Sequence, residues 1–159
     1  QAFSDADLRG CYLDRKSMSG GCQLLDGKLV SWQSKKQSCV LISTAEAEYV
    51  VVVACPSQII GIQSQLHDYA INMKKIPVYC DSQSAIRICH NPLQHSKTKH
   101  IALCYYFIKD HVKHGNIEVH FVKTTDQLVN IFTTPLDEKS FMRILGGHGM
   151  VKGGSILKE

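Results

Sequence analysis

No C-x-x-C pair occurs among the seven cysteines of this sequence. They stand at Cys11, Cys22, Cys39, Cys55, Cys80, Cys89 and Cys104, an odd number at scattered spacings. This argues against a structural zinc site or a disulfide frame and for reduced thiols in an intracellular, cytoplasmic or nuclear setting. Long apolar runs are missing too. The longest, Tyr49 to Cys55, falls far short of the roughly 20 residues that span a bilayer. No secretory signal is visible, so neither secretion nor a membrane partner is expected. The initiator methionine is also missing. The chain opens at Gln1 in strand-like sequence, as a segment of a longer polypeptide would. Repeats and low-complexity blocks are lacking. The net charge of +4 suits a polyanion partner without specifying one. At 159 residues, 44% of them apolar, one globular domain with a real core is expected.

What is present centres on Ser43-Thr44-Ala45-Glu46-Ala47-Glu48. Ser43 and Glu46 match the S/T-x-x-E capping box, which predicts a helix start. Glu48, Val52, Cys55, Ile59, Ile62 and Leu66 then recur at steps of four and three. They form the buried stripe of an amphipathic helix running to about Tyr69. Glu46 is explained by capping and points to the other side of the helix. Glu48 heads the apolar stripe, where a carboxylate needs a counter-charge, a proton or a metal. The plainer alternative is that the stripe meets solvent in its first turn. Pro56 removes a backbone donor within the helix and predicts a kink or break.

Residues 3–8 alternate as a first strand, with Asp5 on the side of Phe3. Asp26-Gly27 between two apolar runs, 22–25 and 28–33, is a hairpin signature. Residues 76–80 form a short strand ending at Asp81, and Ser82 caps a helix over 83–89. A long helix is expected over 101–114, a strand over 117–122, a short helix over 125–132 and a last helix over 138–145. The domain then covers 1–151, with a loose glycine-rich tail over 152–159. This order predicts an α/β fold with a mixed sheet, antiparallel at the start and parallel after the helical crossovers. In such sheets ligands sit outside the carboxyl ends of strands. Asp5, Asp81 and Glu48 can converge there. Singly, Asp5 reads as a surface acid and Asp81 as a helix cap. Together, three carboxylates are hard oxygen ligands suited to Mg²⁺ or Mn²⁺. Two such ions activate a nucleophile and stabilise a leaving oxygen at a phosphodiester.

The stretches SDAD (4–7), DRKSMSGGC (14–22), LVSWQSKKQ (29–37), STAEAEY (43–49), YCDSQSAI (79–86), NPLQHSKTKHIA (91–102) and DQLVNIFTTPL (126–136) carry a resemblance. The chain resembles the ribonuclease H domain of copia-type LTR retrotransposon Pol polyproteins, over nearly its whole length. The resemblance implies a ribonuclease H-like fold with a central five-stranded mixed sheet flanked by helices. It implies metal-dependent cleavage of the RNA strand of RNA–DNA hybrids, with two Mg²⁺ ions for which Mn²⁺ can substitute. It also implies a reverse transcriptase domain upstream in the same polyprotein. Matched residue by residue, the family's catalytic acids fall on Asp5, with Asp7 as a near alternative, on Glu48, on Asp81 and, where the fourth acid is usual, on Asn130. Three carboxylates leave two divalent cations with a net +1, and the Asn130 carbonyl is a weaker ligand. Asn130 therefore implies weak or lost cleavage, the alternative being a non-catalytic nucleic-acid-binding relic. A DNA-cutting relative of the same nuclease fold is disfavoured by the order of the motifs.

Other positions also depart from the family pattern. Leu8 and Gly61 stand where Trp is usual, Cys104 where Arg is, Tyr106 where His is and Thr134 where Lys is. A large buried ring missing at Gly61 would cost about 3–5 kcal/mol, and Pro56 about 3 kcal/mol. Against a total stability of about 5–15 kcal/mol, marginal folding is expected. Lys97, Lys99 and His100 form a basic loop suited to phosphate contacts. Arg15, Lys35 and Lys36 read as surface charges, and Trp32 as part of the core or a hairpin face rather than a base-stacking platform.

Overall fold

The computed structural model describes residues 1–7, 17–37, 44–72, 75–90, 106 and 109–150. Strands β1 (Ala2–Asp7), β2 (Met18–Leu25) and β3 (Lys28–Lys36) form an antiparallel meander. On the other side of β1, β4 (Ile76–Cys80) and β5 (Ile117–Phe121) add in parallel. The expected five-stranded mixed sheet is present, in the order β3-β2-β1-β4-β5. Asp26 and Gly27 turn the hairpin with φ of 50° and 71°, the left-handed pair that matches strand twist. The hairpin is longer than its apolar runs suggested, because polar residues pair out to Met18 and Lys36.

Helix α1 (Thr44–Asp68) packs across one face of the sheet. Its Tyr49, Val52, Cys55 and Ile59 cluster with Ala2, Val78, Cys80, Ile117 and Val119, and Ala47 and Val51 meet Ala6. Burial of each Val or Ile contributes about 1.5–3 kcal/mol. The stripe predicted from the sequence is therefore the buried one, fading to half-buried at Ile62 and Leu66. The break expected at Pro56 does not occur, since the helix continues through that position as one element. The packing of Val52, Cys55 and Ile59 on the sheet holds both halves in line. Nor does Gly61 leave a hole. It is exposed, and a Cβ there would meet nothing within 4 Å. Its cost is one of helix propensity, about 1 kcal/mol relative to Ala, and no large ring would be buried there. The helix ends with Ala70 at φ 60° and with Ile71 N–H donating to the Leu66 carbonyl at 2.9 Å. This is a Schellman closure without its usual glycine.

The other face buries Phe3, Cys22, Leu24 and Val129, with Leu29, Tyr79, Leu128 and Phe132 against them. The helix expected over 125–132 is instead two 3-10 turns, Thr124–Asp126 and Leu128–Phe132. Gln127 between them is extended (φ −75°, ψ 103°), which breaks the helical run. Helix α2 (Gln83–His90) starts as predicted, the Ser82 hydroxyl accepting Ala85 N–H at 3.2 Å. Helix α3 (Glu138–Gly147) is capped by Asp137, which accepts Ser140 N–H at 3.0 Å. His148 ties its end to the sheet. The His148 carbonyl accepts Leu29 N–H at 3.0 Å, and Nε2 lies 2.9 Å from the Leu128 carbonyl. Trp32 lies on the hairpin face, stacked on Phe132 at 5.1 Å. Ser43, the Glu46 side chain, Leu8, Cys104, the loop at 95–100, most of the helix expected over 101–114 and the tail at 152–159 lie outside the described residues. Among the described residues no helix is long and apolar enough to cross a membrane.

Candidate active site

β1 outruns its parallel neighbour. Its ladder with β4 comprises Ala2↔Val78 and Phe3↔Tyr79. Past that point the strand's buried backbone groups need other partners. Gln127 Nε2 donates to the Ser4 carbonyl at 2.9 Å. Ala6 N–H donates to Glu48 Oε1 at 3.1 Å. The glutamate that heads the apolar stripe is thus held by the first strand. Asp5 lies between these two backbone contacts and pairs across the sheet with Gly20 of β2. Asp81 directly follows β4. Asp7 closes β1 two residues beyond Asp5 and is less buried.

Asp5 and Glu48 are each only 7% exposed, and Asp81 is half-buried. Among the described residues no lysine, arginine or histidine forms an ion pair with any of the three. Burial, with the charge of Asp5 beside it, pushes the Glu48 carboxyl up to about 9. Burial raises Asp5 as well, opposed by its hydrogen bond from Thr133 and reinforced by the charge of Asp81. Burial beside Asp5 therefore favours the protonated form of Glu48 at neutral pH. Cys80 Sγ lies 4.0 Å from Glu48 Oε2, and ligand atoms of Glu48, Cys80 and Asp81 all fall within 4.8 Å of one another. Burial raises the Cys80 thiol above its ordinary value, so it stays protonated. A soft, protonated sulfur is a poor ligand for a hard cation. The three carboxylates are good ones, and a divalent ion would supply a counter-charge that no described residue supplies. The donor set therefore fits Mg²⁺ or Mn²⁺.

Two residues that the sequence did not single out hold the aspartates. The Thr133 hydroxyl donates to Asp5 Oδ2. Thr124 Oγ1 donates to Asp81 Oδ2 at 2.8 Å. Thr124 opens the first of the two 3-10 turns that replace the expected helix, and Thr133 caps the end of the second. Its close approach depends on Gly20, where a Cβ would lie 2.5 Å from Thr133 Cγ2 and 3.0 Å from Val129 Cγ2. Asn130 sits between the two threonines. Its side-chain N–H donates to the Thr124 carbonyl at 3.0 Å, and its own carbonyl accepts Thr133 N–H at 3.2 Å. Asn130 thus connects to Asp81 through Thr124 and makes no hydrogen bond of its own to the three acids. Lys97, Lys99 and His100 lie outside the described residues.

No family model matches the chain. It is 40% identical over 152 residues to the retrovirus-related Pol polyprotein from transposon RE2 of Arabidopsis thaliana, which covers 95% of this chain and 10% of that protein. It is 34% identical over 141 residues to the corresponding polyprotein from transposon TNT 1-94 of Nicotiana tabacum, covering 89% and 11%. The chain thus spans about a tenth of the length of the curated relatives it matches. Among solved structures it is similar to LC11-RNase H1 in complex with an RNA/DNA hybrid, at a TM-score of 0.62 and 12% identity, over 88% of this chain and 97% of that one. RNase H1 from the halophilic archaeon Halobacterium salinarum matches at a TM-score of 0.60 and 12% identity, over 83% and 92%. At these identities the structural likeness establishes the fold, and the transposon relatives establish the lineage. The chain belongs to the copia-type retrotransposon Pol polyproteins, as a segment of them with the ribonuclease H fold.

Proposed function

We propose that this segment is the ribonuclease H domain of its polyprotein, a metal-dependent endonuclease acting on the RNA strand of RNA–DNA hybrids during reverse transcription. The observation that carries this reading is the convergence of Asp5, Glu48 and Asp81 at the carboxyl ends of β1 and β4, two of them buried with no ion-pair partner among the described residues. Asp5, Glu48 and Asp81 would hold Mg²⁺ or Mn²⁺. When bound, such ions activate a water and stabilise the leaving oxygen at a phosphodiester. The chain's own contribution is to fix the three carboxylates and to keep the Glu48 proton available for displacement. Lys97, Lys99 and His100 would contact phosphates of the hybrid. A reverse transcriptase domain precedes the segment in this reading, and the setting is intracellular.

A second reading, a nucleic-acid-binding relic without catalysis, is favoured by Asn130. Its amide is engaged with the Thr124 carbonyl and brings no charge to the acids. Incubation of a labelled RNA–DNA hybrid with the protein in Mg²⁺, then in Mn²⁺, separates the two readings, with double-stranded DNA as control. Metal-dependent cuts in the RNA strand support the nuclease. Salt-sensitive hybrid binding with no cut in either metal supports the relic. Replacing both Lys97 and Lys99 with Ala should flatten the dependence of log affinity on log salt by about 0.9 for each phosphate no longer neutralised.

A further inference from the structure

We propose that Thr133 and Thr124 are positioning residues of the acid cluster, each fixing one carboxylate for a divalent cation. The proposal rests on the reading of Asp5, Glu48 and Asp81 as a metal centre. Both threonines come from one ten-residue stretch, and each places its hydroxyl on Oδ2 of a different aspartate. A carboxylate turns easily about its terminal torsion. A hydroxyl on one oxygen stops that rotation before a cation arrives, so less ordering remains to be done on binding.

Thr133 is itself locked. Its methyl fills the notch that Gly20 leaves in β2, and its stiff β-branched rotamer then directs the hydroxyl to Asp5. The Asn130 carbonyl, 3.4 Å away, is the more distant acceptor for the same hydroxyl. Thr124 is exposed and makes its contact at the rim. Groups that hydrogen-bond a ligating carboxylate typically change metal affinity by about 10–100-fold when removed. The two threonines also share a single mechanical link through Asn130, which bonds the backbone of both. The acid cluster is therefore oriented from one side by α1 and from the other by this stretch.

The test is calorimetric titration of Mn²⁺ into the unaltered protein, Thr133→Val, Thr124→Val and Thr133→Ser, together with melting in EDTA. Valine keeps the methyl in the Gly20 notch and removes only the hydroxyl. Each valine variant is expected to bind Mn²⁺ about 10–100-fold more weakly, and Thr133→Ser, which keeps the hydroxyl but loses the methyl that aims it, to fall between Thr133→Val and the unaltered protein. A purely structural role would lower the melting temperature and leave the Mn²⁺ affinity of the folded fraction unchanged. That result overturns the proposal. Should Thr133→Val fail to fold, Thr124→Val and Thr133→Ser decide it, and unchanged affinity in Thr124→Val overturns it. If the unaltered protein binds no Mn²⁺, the metal-centre reading fails and this proposal falls with it.

Discussion

Glu48 accepts the Ala6 N–H at 3.1 Å and so stands in for a strand partner that β4 is too short to provide. An amide oxygen can accept the same bond. Glu48→Gln should therefore fold as well as the unaltered protein in EDTA and yet lose Mn²⁺ binding and whatever hybrid cleavage Mn²⁺ supports. A substitution that unfolds the domain would show that the carboxyl serves packing alone.

The same pair sets a pH dependence. The Glu48 carboxyl titrates at about 9 in the native state against an ordinary 4.5. Between these values the native state holds the proton more tightly than the unfolded chain. This group's contribution is complete below the ordinary value and is lost as pH rises towards about 9, at up to about 1.4 kcal/mol per pH unit. In EDTA the urea midpoint should fall from about pH 6 to about pH 8, and Glu48→Gln should flatten that fall. A midpoint that rises over the same range contradicts the protonated Glu48.

Asn130→Asp restores the fourth carboxylate. Cleavage in Mg²⁺ is expected to be weak or absent in the unaltered protein, partly rescued by Mn²⁺, and raised by the substitution. The new carboxylate cannot donate to the Thr124 carbonyl, so about 1 kcal/mol of stability should be lost as well. Paired assays at matched folded fraction check this. Equal rates in Mg²⁺ for both forms would make the fourth acid dispensable.

Gly20 and Gly61 should respond oppositely to alanine. At Gly20 the added methyl collides with Thr133 and Val129. About 1–3 kcal/mol of destabilisation is expected, with weaker Mn²⁺ binding because Thr133 is displaced. At Gly61 the methyl enters open space on an exposed helix position, and a gain of about 0.5–1 kcal/mol is expected. Denaturant midpoints of the two variants give the comparison directly.

The contrast at those glycines shows what was legible in the sequence. Periodicity identified the inward face of α1, because burial on a helix repeats with its own pitch, and the unexplained acid on that face was Glu48. The turn at Asp26-Gly27 and the cap at Ser82 were equally readable, since their chemistry is local. A resemblance supplies a residue type without its surroundings, so it predicts a buried loss at Gly61, where in this fold the position faces outward. Pro56 alone predicts a break, and the packing on both sides of it that keeps the helix continuous cannot be counted from the sequence. Thr124 and Thr133 carry no local signal for another reason. Their partners lie 43 and 128 residues away, and no local pattern marks a threonine that serves a distant acid.

The late stretch that reaches Asp5 and Asp81 also sets when these two carboxylates acquire their hydroxyl partners. Asp5 is made well ahead of Thr133, which is 128 positions behind it. At about 5–20 residues per second, synthesis separates the two by roughly 6–25 s. During that interval the β1–β3 meander can pair, but Asp5 lacks its hydroxyl and Ser4 its glutamine. The Asp5–Thr133 and Ser4–Gln127 contacts close long loops and form late, as pairings of high sequence separation do. A nascent or truncated chain that ends before residue 124 would carry the three acids without the stretch that orients them. The two aspartates would then gain their hydroxyl partners late, near the end of folding.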